Sequence, residues 1–167
     1  MVNLSSLAPK TTVDRTPMPS AVRNSLQEIA RSIEWSEGEF SLILAHCNSY
    51  YLREKAVREL RQLCHVPIRE IVLNRSVEFL YATLQEEVKR KPTQAVEIRG
   101  FEAVPELDRL LMMTNFVFGE FYQNFHFPLV WWVDDATVRK LIRLAPDLYS
   151  RTTIIELTAN RESAAVA

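Results

Sequence analysis

Glycine is scarce in this 167-residue chain: Gly38, Gly100 and Gly119 are the only three. A phosphate-binding loop uses glycines to bring successive backbone N–H groups onto an anion. Chemistry that depends on such a loop is therefore nearly excluded. Cysteine is scarce too. Cys47 and Cys64 are too few for a disulfide framework, so a reducing compartment, the cytoplasm, is expected. Neither charge sign dominates. Twenty Lys and Arg stand against 21 Asp and Glu, a net charge of −1. That balance gives no global field for drawing in nucleic acid or an anionic membrane. No apolar run approaches the ~20 residues of a membrane-spanning helix. The first residues hold no apolar secretory core, and no membrane association is expected.

What remains is the composition of an ordinary globular domain, with 47% hydrophobic and 25% charged residues, long enough to bury a real core. Residues 1–18 form a polar leader without hydrophobic periodicity. Residues 19–157 read as one α/β domain, and 158–167 as a tail or linker. Pro19-Ser20 opens a helix whose apolar stripe is Val22, Leu26, Ile29 and Ile33. Strands and helices then alternate. The strands are expected over 40–45, 68–73, 94–99, 127–133 and 152–157. The third looks weakest, because it carries Glu97. Helices are expected over 51–64, from an N-cap at Ser76, from about Glu102 through Phe121, and after a cap at Asp134 or Asp135. Ala145-Pro146-Asp147 stops the last one. This alternation predicts a three-layer sandwich around a mostly parallel five-stranded sheet.

Ligands of such sheets lie beyond the carboxyl ends of the strands. The candidates there are Asn48, Ser49, Glu102, Asp134 and Asp135. Asn48 and Ser49 stand where a phosphate loop would lie, without its glycines or its Lys-Ser/Thr pair. Arg53 and Lys55, a little further on, read as a solvated helix face. Adjacent carboxylates at Asp134-Asp135 suit either a divalent cation or a helix cap. Glu102 suits a charge near a helix N-terminus. His46-Cys47 and Cys64-His65 lie at opposite ends of one helix and cannot share a zinc ion. Cys47 has no recognisable base, since its neighbour His46 faces the other way along a strand. His126, among Tyr122, Phe125 and Phe127, reads as packed in an aromatic cluster. No metal and no cofactor is expected.

Several stretches carry a resemblance: FSLILAHCN (40–48), LREKAVRELRQLC (52–64), REIVL (69–73), LYATLQEE (80–87), GFEAVPELDRLL (100–111), FPLVWWVDD (127–135) and KLIRLAPDLYS (140–150). From Ile33 to Leu157 the chain resembles the P-loop-NTPase-like N-terminal domain of large cyanobacterial WD-repeat and tetratricopeptide-repeat proteins. That family is similar to degenerate signal-transduction NTPases. The resemblance implies a sheet order of 5-1-4-3-2, a defective phosphate loop and no catalysis. It also implies repeats beyond the domain, and a role as an interaction or scaffolding module for a protein partner, a repeat domain or a second copy. A weak Mg²⁺-dependent nucleotide binder or NTPase, built on the five candidates, is the alternative. For a nucleic-acid accessory role, only the run Lys89-Arg90-Lys91 argues, and such a run also suits a helix C-terminus.

Overall fold

The computed structural model of the protein describes residues 16–159. The elements in chain order are α1 (Ser20–Trp35), β1 (Ser41–His46), α2 (Tyr50–Leu63), β2 (Ile68–Val72), α3 (Leu80–Arg90) and β3 (Ala95–Arg99). A 3-10 turn (Phe101–Ala103) follows, then α4 (Leu107–Phe116), α5 (Phe118–Asn124), β4 (Pro128–Val133), α6 (Asp135–Leu144), α7 (Pro146–Ser150) and β5 (Thr153–Glu156). The five strands form one sheet in which every pairing is parallel. Its order is β2-β3-β4-β1-β5, which counted from the β5 edge is 5-1-4-3-2. The most apolar strands, β1 and β4, are neighbours inside the sheet, where both faces are covered.

Period-two alternation sorts their side chains into two cores. Leu42, Leu44 and Trp131 face a core closed by α3 to α7, whereas Ile43, Ala45 and Trp132 face one closed by α1 and α2. Both tryptophans are fully buried. The stripe of α1 is spent on its own sheet: Val22, Leu26, Ile29 and Ile33 are all fully buried. The Ser25 hydroxyl, on the same face, donates to the Glu156 carbonyl of β5 at 2.7 Å. Met18 is only 7% exposed and belongs to this layer rather than to a leader. The rest of the expected leader (1–15) and of the tail (160–167) lies outside the described residues. Among the described residues, no helix is long and apolar enough to cross a membrane.

Three local expectations need correction, and one that holds gains a detail. Ser76 does not cap α3. The Asn74 carboxamide oxygen takes the Ser76 N–H and hydroxyl at 2.9 and 2.6 Å, a local turn that delays the helix to Leu80. The single long helix expected through Phe121 breaks at Val117, which ends α4 and starts α5. Pro146 does stop α6, but it also fits the first turn of the short α7. His126 is exposed. The aromatic cluster forms without it, around Phe40, Phe118, Phe121 and Tyr122.

If α1 is an integral layer, Ile29→Ala leaves a cavity and lowers unfolding free energy by about 2–5 kcal/mol in urea titrations. Phe116→Ala, at a side chain 84% exposed, changes it by less than ~0.5 kcal/mol. A neutral Ile29→Ala would remove α1 from the core.

Candidate functional site

From β1 the chain crosses to one side of the sheet through α2, and from β4 it crosses to the other through α6. The reversal between neighbouring β1 and β4 marks the crevice in which such sheets bind ligands. The sequence candidates do gather at these strand ends. There they bond chiefly to one another and to the helix starts. Asn48 Oδ1 accepts from the Asp135 N–H at 2.8 Å, so one hydrogen bond spans from the β1 end to the β4 end. Asp134 is the N-cap of α6, accepting from the Thr137 N–H at 2.8 Å. Burial opposes its charge, but the hydrogen bonds at Thr137 and the field of Arg53 hold its carboxyl below the usual aspartate value. His46 Nε2 donates to Asp135 Oδ1 at 2.5 Å, and its Nδ1 lies 3.8 Å from Glu156 Oε1. Ser49 is the N-cap of α2, accepting from the Leu52 N–H at 3.2 Å.

The β1–α2 connection is Cys47, Asn48 and Ser49 alone. Three residues cannot wrap a phosphate chain as the longer glycine-rich loop does. Some of the N–H groups that would greet an anion at the starts of α2 and α6 are taken from within: Leu52 by Ser49, Asp135 by Asn48 and Thr137 by Asp134. Cys47 is buried, and burial pushes its thiol above the usual cysteine value, away from a nucleophilic thiolate.

Arg53 is the residue the sequence hides. The buried stripe of α2 is Arg53, Ala56, Val57 and Leu60, so an arginine fills an apolar slot. Its guanidinium lies 5.6 Å from the Tyr50 ring centroid, and Nη2 donates to Glu102 Oε1 at 2.7 Å. This pair ties α2 to the end of β3. Nη1 is buried and has no partner among the described residues. Beside it lies a cavity of about 240 Å³ lined by Tyr50, Arg53, Val72, Arg99, Gly100 and Glu102. Gly100 shapes its wall. The φ of +91° favours glycine, and a Cβ there would stand 2.8 Å from the Leu73 carbonyl oxygen.

Beneath α2 runs a chain of ion pairs. Glu70 of β2 and Glu97 of β3 stand side by side in register, an arrangement that is repulsive on its own. Glu97 is fully buried. Arg61 Nε donates to Glu97 Oε1 at 2.7 Å, and Arg61 also reaches Glu70. The Trp132 indole N–H donates to Glu97 Oε2 at 2.9 Å. Arg99 Nε donates to Glu70 Oε1 at 2.8 Å, and the same guanidinium pairs with Glu54 of α2. Burial pushes the Glu97 carboxyl above the usual glutamate value, despite Arg61 and Trp132. Burial also acts on Glu70, but there Arg61 and Arg99 prevail and hold it low. The one trace in the sequence is parity: Glu97 and Arg99 share a face of β3, which an inert strand face would not show. Among the described residues, no group of three or more His, Cys, Asp and Glu is placed to hold a metal ion.

Two experiments probe this geometry. Gly38 (φ +82°) and Gly100 are both left-handed, but an added Cβ at Gly38 meets nothing within 4 Å. Gly38→Ala should cost about 1 kcal/mol, and Gly100→Ala clearly more, in chemical denaturation. Equal costs would deny the close approach at Leu73. The second test concerns pH. A carboxyl raised in the folded state adds stability that is full below its ordinary value of about 4.3 and fades as pH rises through the raised value. Wild type should therefore lose stability relative to Glu97→Gln as pH rises from about 4 towards neutrality. A wild type that instead gains stability relative to Glu97→Gln as pH rises would mean that Glu97 is ionised more readily in the folded protein than in the unfolded chain. Glu70 contributes in the opposite sense and is coupled to Glu97 through Arg61, so the comparison is made in a Glu70→Gln background. In comparisons with known proteins, no family model matches this chain, and no curated protein is significantly similar to it.

Proposed function

We propose that the chain is a non-catalytic, degenerate NTPase-like α/β domain that acts as a protein interaction or scaffolding module in a reducing, cytoplasmic setting. The carrying observation is the Asn48–Asp135 hydrogen bond across the β1/β4 crevice. It closes the position where the ligand of such a sheet would sit. The caps by Ser49 and Asp134 and the Arg53–Glu102 pair support the same reading, because each uses up a group that nucleotide chemistry would need. The likeness of the strand-end sequences to NTPase-like domains of repeat proteins supports a scaffolding context. Lys89 and Arg90 lie in the last turn of α3, where cations suit the helix dipole, which supports reading that run as a helix end rather than as a nucleic-acid contact.

One observation favours a second reading, a weak nucleotide or anion binder. Arg53 Nη1 is buried and has no partner among the described residues, and Arg53 is one of the residues lining the 240 Å³ cavity. A thermal-shift panel with ATP, GTP and their diphosphates, with and without Mg²⁺, separates the two. A site whose dissociation constant is about one-hundredth of the ligand concentration adds about 2.7 kcal/mol, a rise of several degrees in a domain of this size. The expected result is no shift. A Mg²⁺-dependent rise that disappears in Arg53→Met would establish the second reading instead.

A further inference from the structure

One group of exposed apolar side chains lies on α4 and at the start of α3. α4 is apolar on two sides. Leu107, Leu110, Leu111 and Thr114 face the core, whereas Met112, Met113 and Phe116 are 48%, 37% and 84% exposed. Phe79, just before α3, is 41% exposed. Between them is a groove of about 220 Å³, with Phe79, Ala82, Met113 and Val117 as walls and Leu80 and Thr114 as floor. The Thr114 hydroxyl donates to the Leu110 carbonyl at 2.7 Å, so the floor presents no unsatisfied donor. Such a patch on one domain is a recognition surface more often than an accident.

The charge around it selects the occupant. Glu78 precedes Phe79, Glu86 stands one turn beyond Ala82 on the exposed side of α3, and Glu120 stands one turn beyond Phe116. Glu120 is tied to the groove itself: Asn124 Nδ2 donates to Glu120 Oε2 at 3.2 Å and to the hydroxyl of Tyr81, another lining residue, at 3.0 Å. Arg109, one turn before Met113, opposes these three carboxylates, and further out Arg75 and Glu106 offset each other. The rim is acidic in sum. Two copies meeting through this face would bring like charges together, which disfavours self-pairing. A groove between two helices receives an amphipathic helix, and methionine walls adapt to its side chains.

We infer that the α3–α4 groove docks an amphipathic helical segment of a partner whose apolar stripe is flanked by lysines or arginines. This rests on the reading of the chain as an interaction module. The test uses the full chain and a labelled synthetic helix with Leu at positions i, i+3, i+4 and i+7 and Lys elsewhere, beside a twin with Glu for Lys. The Lys peptide should bind, about tenfold or more tighter than its twin, and slow amide exchange over 79–86 and 109–120. Met113→Gln with Phe116→Gln should weaken the Lys peptide about tenfold or more by removing the apolar walls, and Glu86→Gln with Glu120→Gln should abolish its advantage over the Glu twin. If the first double variant loses stability, Phe116→Gln alone repeats the test at the more exposed position. Equal affinity for both peptides, affinity unchanged in the variants, or no binding at all would overturn the proposal. Protection on the α1–α2 side would overturn it while leaving the interaction-module reading intact, whereas a nucleotide response in the separate thermal panel would overturn that reading instead. A dimer by light scattering that the variants dissolve would assign the groove to a second copy. Groove amides protected in the free chain, and released on removing 1–15 or 160–167, would assign it to the chain's own segment. Either result overturns the proposal.

Discussion

A buried carboxylate organises one side of this molecule. Glu97 sits in the middle of a parallel sheet with no exposure to water, next to a second carboxylate on the neighbouring strand. A charge so placed costs several kcal/mol unless it is met by donors. Arg61 and the Trp132 indole meet it, and each comes from a different element. The need to satisfy Glu97 therefore fixes the seating of α2 on the sheet and the depth of β4 beside β3. Arg99 continues the pattern by binding Glu70 and Glu54 together, which pins the first half of α2 as Arg61 pins its second half.

The same helix then carries the device into the strand-end crevice. Arg53 lies two turns before Arg61, on the buried stripe, and holds Glu102 where β3 ends. In a phosphate-binding relative of such a sheet, a cation at this helix faces a ligand. Here it faces a carboxylate of its own chain. The crevice has become a structural joint, closed by Asn48 and capped by Ser49 and Asp134. Phe79, Met112, Met113 and Phe116 leave an exposed apolar face over α3 and α4, on which the proposed recognition of another polypeptide rests.

The sheet was legible because its strands are apolar runs bounded by polar turns. Trp131 and Trp132 divide between the two faces as alternation requires, and β1 lies inside the sheet. The candidate residues at the strand ends were also legible, since topology alone brings Asn48, Ser49, Glu102, Asp134 and Asp135 to one edge. The helix cap expected at Asp134 or Asp135 was legible too, and the distance to the Thr137 N–H selects Asp134. The partners of the others were not. Arg53 escaped because a charge on a helix reads as solvated unless its burying partner is known. Glu97 read as a flaw in β3, although it anchors that strand, because Arg61 and Trp132 lie 36 and 35 residues away. The break at Val117 has no proline to announce it, and Gly119, two residues on, falls inside α5 rather than at the break. Packing of Phe118 and Phe121 against the aromatic cluster explains the second helix.

The measurement that bears most directly on this account is a double-mutant cycle between Arg61 and Glu97, read by chemical denaturation at neutral pH. Arg61→Met should cost up to about 3 kcal/mol, less than for a fully buried pair because the Arg61 side chain is 37% exposed. Glu97→Gln keeps the acceptor for Trp132 and removes the charge. In that background the same Arg61→Met change should be much cheaper, giving a coupling of about 1–3 kcal/mol. A coupling near zero would show that the sheet tolerates Glu97 without Arg61. The buried ion chain would then no longer explain how α2, and the closed crevice at its start, are held in place.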